Sequence, residues 1–233
     1  MDGNRKVIMA VGAHTGDAQL TMGMLLAKHA MMGDKVIIVD LTAGERGCPA
    51  GYTPKTFREY NIACAKKFAD ELGGESIVFD TPDGELYDSK ELELKLARLM
   101  REKQVDAVLY HWKNSIHKDH VQAHTITDNA IFFASLPTFD MDGLAPAPIK
   151  KFMCAENWED PEGFEPYYYF DVTEAYPLWE KAVKHLWLTE HSTSMAYLKY
   201  YDALSVTRGA LIRKGRATAF ATTGTKRMVL ESL

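Results

Sequence analysis

Cysteine is scarce and scattered: Cys48, Cys64 and Cys154 are odd in number and form no C-x-x-C pair. A disulfide framework and a thiolate zinc site are therefore excluded as organising features. Positive charge is in deficit, with 27 Lys and Arg against 32 Asp and Glu and a net charge of −5. A nucleic-acid surface normally needs a basic stripe, so no nucleic-acid partner is expected. Long apolar runs are missing as well. No stretch nears the roughly 20 residues that a membrane helix takes, so no membrane span is expected. No internal repeat or low-complexity tract interrupts the chain. Met1–Lys6 runs straight into an apolar segment, leaving no room for a secretory leader, and the expected location is cytoplasmic. The remainder, 46% hydrophobic and 25% charged over 233 residues, has the composition of an ordinary soluble globule of one or two domains.

Two periodicities alternate through the first half. Lys6–Val11 is a continuous apolar run of strand length, and Leu20, Met24, Ala27 and Met31 then mark one face of a helix from Asp17 to about Met32. Lys35–Leu41 is a second β-branched strand. A Gly/Pro-rich loop, Ala43–Pro54, precedes a helix that runs to about Leu72 and is closed by Gly73-Gly74. Ser76–Phe79 is a short third strand. The segment from Asp88 to Glu91 caps a helix with Leu92, Leu96, Leu99 and Met100 on its apolar face. Asp106–Tyr110 is a fourth strand, followed by a helix from about His120 to Ala134. This alternation predicts a Rossmann-like α/β fold, a doubly wound and mostly parallel sheet with helices on both faces. The loops after Val11 and Tyr110 then flank the switch-point crevice. Beyond Pro137, short strands at Ile149–Cys154 and Tyr167–Val172 and a helix from Glu174 to about Ala203 are expected to form a C-terminal cap. The whole of 1–233 is expected to be a single domain.

The chemistry-bearing residues lie on those two loops. His14 and Asp17 stand three apart on the first; His111, His117, Asp119 and His120 lie on the second. His14, Asp17 and His120 form a set of two histidines and one carboxylate, the pattern of a catalytic Zn2+ site with a position left for water. Iron(II) can use the same set.

These residues resemble the PIG-L/LmbE-like zinc-dependent deacetylases over nearly the whole chain. The family's A-H-P-D-D-x-E is matched by Ala13-His14-Thr15-Gly16-Asp17-Ala18-Gln19, and its T-x-G-E-x-G by Thr42 to Gly47. Its P-D-G-x-L is matched by Pro82 to Leu86, and its H-P-D-H by His117 to His120. The resemblance implies that His14, Asp17 and His120 hold zinc. It also implies that His117 acts on the oxyanion or the leaving amine, with Asp119 as its orienting partner. It equally exposes a gap. The family's general base falls on Gly16, which carries no proton, and the glutamate two residues past the aspartate ligand is Gln19.

The expected activity is removal of an N-acyl group from a small amino-sugar-type substrate, using a displaced or substitute base. The alternative is a zinc-dependent hydratase or lyase acting on a keto acid or sugar derivative. It follows a 4-oxalomesaconate hydratase branch that resembles this chain in lacking the base and keeping Glu45 in the Gly44-Glu45-Arg46-Gly47 loop. There Glu45 would carry a proton; otherwise it is a loop carboxylate or helix-cap partner. A non-catalytic metal-dependent binder is a third reading. Among further substrate contacts, Arg58 could clamp a carboxylate or phosphate, Asp83 could bind a hydroxyl, Trp112 could stack on a sugar ring and His191 could close over the site. Each also has a purely structural reading. The expected partner is a small molecule, and the expected assembly is a homo-oligomer.

Overall fold

The computed structural model describes residues 5–222. Met1–Asn4, part of the segment from which no leader was expected, and residues 223–233 lie outside that range. The apolar runs become buried parallel strands: β1 (Val7–His14) and β2 (Lys35–Thr42) are covered along nearly their whole length. Such continuous burial needs helices on both faces. One face packs α2 (Gly23–Met31), α3 (Pro54–Glu71) and α6 (Tyr176–Val183) over Ile8, Ala10 and Ile38. The other packs α4 (Lys90–Lys103) and α5 (Lys118–Ser135) over Met9, Val11, Ile37 and Val39. Alternating residues of one strand therefore feed two separate cores. Thr53 and Ser89 cap α3 and α4 by accepting the backbone N–H groups of Thr56 and Leu92.

With β3 (Glu75–Val78), β4 (Ala107–Tyr110), β5 (Lys151–Ala155), β6 (Tyr168–Asp171) and β7 (Ala217–Ala221), the sheet runs β3-β2-β1-β4-β5-β7-β6. It is parallel from β3 to β5, and β7 is antiparallel to both its neighbours. Order reverses between β1 and β4, where the alternating pattern puts the crevice.

Three expectations need correction. The helix expected from Asp17 to Met32 is broken into α1 (Asp17–Thr21) and α2, with Met22 between them. Trp179 is fully buried at that break, where its indole N–H donates to the Gln19 carbonyl at 2.8 Å. A Cβ on Gly23 would lie 2.7 Å from its ring, so only glycine lets the indole approach. The helix expected from Glu174 to Ala203 is three pieces: α6, α7 (Trp187–His191) and α8 (Tyr197–Leu211). Leu186, which is buried, and Ser192 turn extended and bound α7 on either side. Finally, the segment after Pro137 is more than a cap, since β5, β7 and β6 extend the main sheet. No helix among the described residues is long and apolar enough to cross a membrane.

Candidate metal centre and the cleft above it

Both halves of the site come from strand ends. β1 ends at His14, the chain reverses through Thr15 and Gly16, and α1 opens at Asp17. The Asp17 carboxylate accepts the His14 backbone N–H at 2.8 Å, which fixes the loop around the acid. On the neighbouring strand, the chain leaves Tyr110 for His111 and re-enters helix at Lys118, with His117 as the cap. Parallel pairing of β1 with β4 brings the two ends together.

Asp17 is the hub. Its Oδ2 lies 3.2 Å from His14 Nδ1, 3.4 Å from His120 Nε2 and 3.4 Å from His111 Nε2. Three groups of donors converge closely enough for one ion: His14 with His117 and His120, Asp17 with His111 and His120, and His14 with Asp83 and Asp119. None of these groups holds all of the expected His14, Asp17 and His120: His14 and His120 share the first, and Asp17 and His120 the second.

Hydrogen bonds distinguish the histidines. Ala13 donates its backbone N–H to His111 Nε2 at 3.1 Å, so that lone pair is used and Nδ1 carries the proton toward Asp160, 3.3 Å away. His111 is thus a poor ligand. His120 Nδ1 faces the other Asp160 oxygen at 3.2 Å, which turns Nε2 toward Asp17, the side from which it would bind a metal. A carboxylate behind a histidine is the usual means of orienting a metal ligand. Asp160, fully buried, does this for His120 and holds His111 as well.

The electrostatics ask for a cation. Burial opposes charge on His14, but hydrogen bonds to Asp119, Asp17 and Asp83 outweigh it and hold the pKa well above the histidine range. Burial likewise opposes charge on His120, yet the Asp17 charge and Asp160 push it up to about 10. Burial would raise Asp17, and the facing His120 charge holds it well below the carboxylate range instead. Asp119 Oδ1 is buried without a hydrogen-bond partner. A donor set of imidazoles and carboxylates that retains positive charge this strongly fits a divalent ion.

The other expected residues are distributed unevenly. His117 lines the cleft, and its Nδ1 accepts the Asp119 backbone N–H at 3.2 Å. The Asp119 carboxylate turns away from it, accepting the Gly84 N–H at 2.8 Å and facing His14 Nε2 at 3.2 Å, so the backbone of Asp119 orients His117. Asp83 also lines the cleft, 3.2 Å from His14 Nε2. Glu45 does not line it. Glu45 is buried, accepts the Asp83 N–H at 2.9 Å and faces Arg58 at 3.4 Å, a clamp on the loop that carries Asp83. Arg58 is spent on the Phe79 carbonyl and Glu45. Trp112 is buried against Phe164 with its N–H on the Glu162 carbonyl, which is a packing role. His191 stacks on Trp187 and bonds its carbonyl, backing the cleft wall without lining it.

The sequence reading missed Asp160 and three residues of the cleft. Glu159 lines the cleft 3.8 Å from His120 Nε2, and burial pushes its pKa up. Trp187 and Leu188 also line the cleft. A Cβ on Gly16 would lie 2.4 Å from Leu188 Cδ2, so leucine fills the space beside the position where the family carries its base.

Position 19 is equally committed. Gln19 is fully buried, accepts the Gly16 N–H at 2.9 Å and donates to Asp40 at 2.9 Å. Burial pushes Asp40 up to about 8, against the help of Gln19 and Thr15. A folded-state pKa raised above the unfolded one means that the folded protein binds the proton more tightly. Stability from this group is therefore complete below the ordinary carboxylate range and declines as pH rises toward 8. Asp40→Asn should remove that decline: its urea midpoint, matched to the parent near pH 4, should exceed it at pH 8. A difference that does not change with pH would contradict the assignment.

The cleft holds about 490 Å³. The GlcNAc-PI de-N-acetylase (PIG-L) family model matches residues 9–131, which carry β1 to β4 and nearly all of the metal loops. The fold is shared with 4-carboxy-2-hydroxymuconate hydratase GalB of Pseudomonas putida. That structure aligns at TM-score 0.86 and 21% identity over 98% of this chain and 99% of the other. N,N'-diacetylchitobiose deacetylase of Pyrococcus horikoshii aligns at TM-score 0.80 and 22% identity, covering 93% and 83%. A conserved protein of Thermus thermophilus aligns at TM-score 0.77 and 23% identity, covering 97% and 98%. Identities this low carry the fold only. With a family model spanning more than half of the sequence, the chain belongs to the PIG-L family.

Proposed function

We propose that the protein is a metal-dependent hydratase. It would add water to, or remove it from, a carbon–carbon double bond beside the carbonyl of a small oxo compound. The observation that carries this reading is position 16, where the deacetylase base is absent and its space is filled by Leu188. The full-length fold likeness to a hydratase supports it. A divalent ion, zinc on this donor set, held by His14, Asp17 and His120, would supply Lewis acidity at the substrate oxygen.

The chain's own groups divide the work. His117 Nδ1 is occupied by the Asp119 N–H, so the neutral ring carries its proton on Nε2. Burial and the charges of His14 and His120 lower its pKa, keeping it neutral with Nε2–H placed to donate a hydrogen bond to the departing hydroxyl. Glu159, with its raised pKa, is suited to take the proton from the carbon next to the carbonyl. Glu159 then passes that proton to the departing hydroxide, which His117 holds by a hydrogen bond, so the alkene and water leave and the carboxylate is restored; hydration runs the same steps backwards. Asp83, fixed by the Glu45 clamp, orients the oxygen end.

Glu159 also supports a second reading, N-acyl hydrolysis with Glu159 in place of the missing base. Solvent exchange separates the two. In D2O the metal-loaded protein should exchange the C3 protons of 4-hydroxy-2-oxopentanoate faster than metal alone, as read by NMR. Glu159→Gln should abolish this with metal retained. Absence of enzyme-dependent exchange would remove the hydratase reading.

The metal itself is open to direct measurement. About one zinc per chain is expected, and His14→Ala or His120→Ala should each strip it, since either removes one of three protein ligands. His111→Ala should retain it, because that lone pair already accepts the Ala13 N–H. Elemental analysis showing full metal in His120→Ala would overturn the ligand set.

A further inference from the structure

The cleft is larger than a metal-bound oxo group requires, and Phe57, Trp187 and Tyr197 are among the side chains that line it. On α3, Phe57 and Tyr60 lie nearly parallel, 6° apart with centroids at 6.1 Å, one turn from each other. Tyr52 meets both edge-on at 5.4 Å and 5.7 Å, and Trp187 meets Phe57 edge-on at 5.6 Å. Phe57 and Trp187 line the cleft, while Tyr52 and Tyr60 are 39% and 37% exposed, so the strip runs from the cleft wall to the surface. His191 stacks on Trp187 and holds its plane. Among the described residues no lysine or arginine lines the cleft, whose charged groups gather at the metal end.

From this we infer that the substrate has two parts: a small reacting group at the metal and a flat, uncharged ring seated along the Phe57–Tyr60–Trp187 strip. Flat rings gain from offset or edge contacts with aromatic side chains, whereas a second carboxylate would meet no cation in the cleft. The inference rests on the cleft of the proposed function and names the substrate class for it. It is read by binding, so it stands or falls separately from the reaction.

Calorimetry on the metal-loaded protein should compare 4-phenylbutanamide, butanamide and glutaramate, the last with a carboxylate in place of the ring. The ring compound should bind at least ten-fold more tightly than either of the others. Tyr60→Ala, an exposed change compatible with folding, should weaken it several-fold and leave butanamide unchanged. Trp187→Leu should weaken it further while metal content stays constant. Equal binding of all three probes, or preference for glutaramate, would overturn the inference. So would a Tyr60→Ala variant whose ring affinity is unchanged but whose sedimentation mass falls, which would make the strip a subunit contact. A ring preference without hydration or hydrolysis would leave the inference intact and remove the proposed function.

Discussion

Gly16→Asp is expected to lose native turnover without gaining amide hydrolysis, and to lower the melting temperature. The backbone at Gly16 has φ +121°, a region that residues with a side chain rarely adopt, so any substitution is strained by about 1–3 kcal/mol. The new Cβ would also stand 2.4 Å from Leu188 Cδ2, and one of them must move. Both effects act on the turn that aims His14 and Asp17. Leu188→Ala should remove the steric part, so Gly16→Asp with Leu188→Ala should melt higher than Gly16→Asp alone even though each change by itself destabilises. That non-additivity is what a double-mutant cycle isolates. Only in the double variant would the carboxylate have room beside the metal, and only there should release of free amine from N-acetylglucosamine rise. A single Gly16→Asp variant that melts like the parent and cleaves amides faster would show that the leucine is no barrier.

His117→Ala should lower kcat by about 10²–10³-fold, the range for losing one hydrogen-bond donor to the charge that develops in the transition state. Metal content should not change, because His14, Asp17 and His120 remain. The pH profile should supply a second signature. Burial and the neighbouring histidine charges hold His117 below the usual histidine pKa, so its protonation should depress the rate only on the acid side of that range. In the variant this acid limb should vanish. Loss of metal in His117→Ala would mean that His117 and His120 have exchanged roles.

Residues whose placement depends on strand order alone were legible in the sequence. His14 with Asp17 and His117 with His120 follow two strands whose adjacency the alternating pattern predicts, and the topology brings them together. Asp160 and Glu159 were not legible. They come from an irregular loop after β5, and no periodicity tells which of its carboxylates turns back toward His120. The aromatic reading failed for a related reason. Trp112, adjacent in sequence to His111, is turned away into the core, while Trp187, far along the chain, reaches the cleft because Leu186 breaks the helix before it. Glu45 reads in the sequence as a proton carrier, or else as a loop carboxylate or helix-cap partner; burial and the Asp83 N–H make it a clamp. The absence of a base at Gly16 is plain from the sequence, which by itself shows no neighbour in the way of a carboxylate there. Leu188 changes that through a contact between residues 172 positions apart in the chain.

The most direct measurement of the central claim sets the two reactions side by side on one preparation. Zinc-loaded protein is given 4-phenyl-2-oxobut-3-enoate, followed by loss of its conjugated ultraviolet absorbance, and N-acetylglucosamine, followed by free amine. Hydration should be rapid and lost in His120→Ala, with amine release no faster than in that variant. Fast metal-dependent amine release with unchanged absorbance of the oxo-enoate would contradict the account and return the protein to the deacetylases.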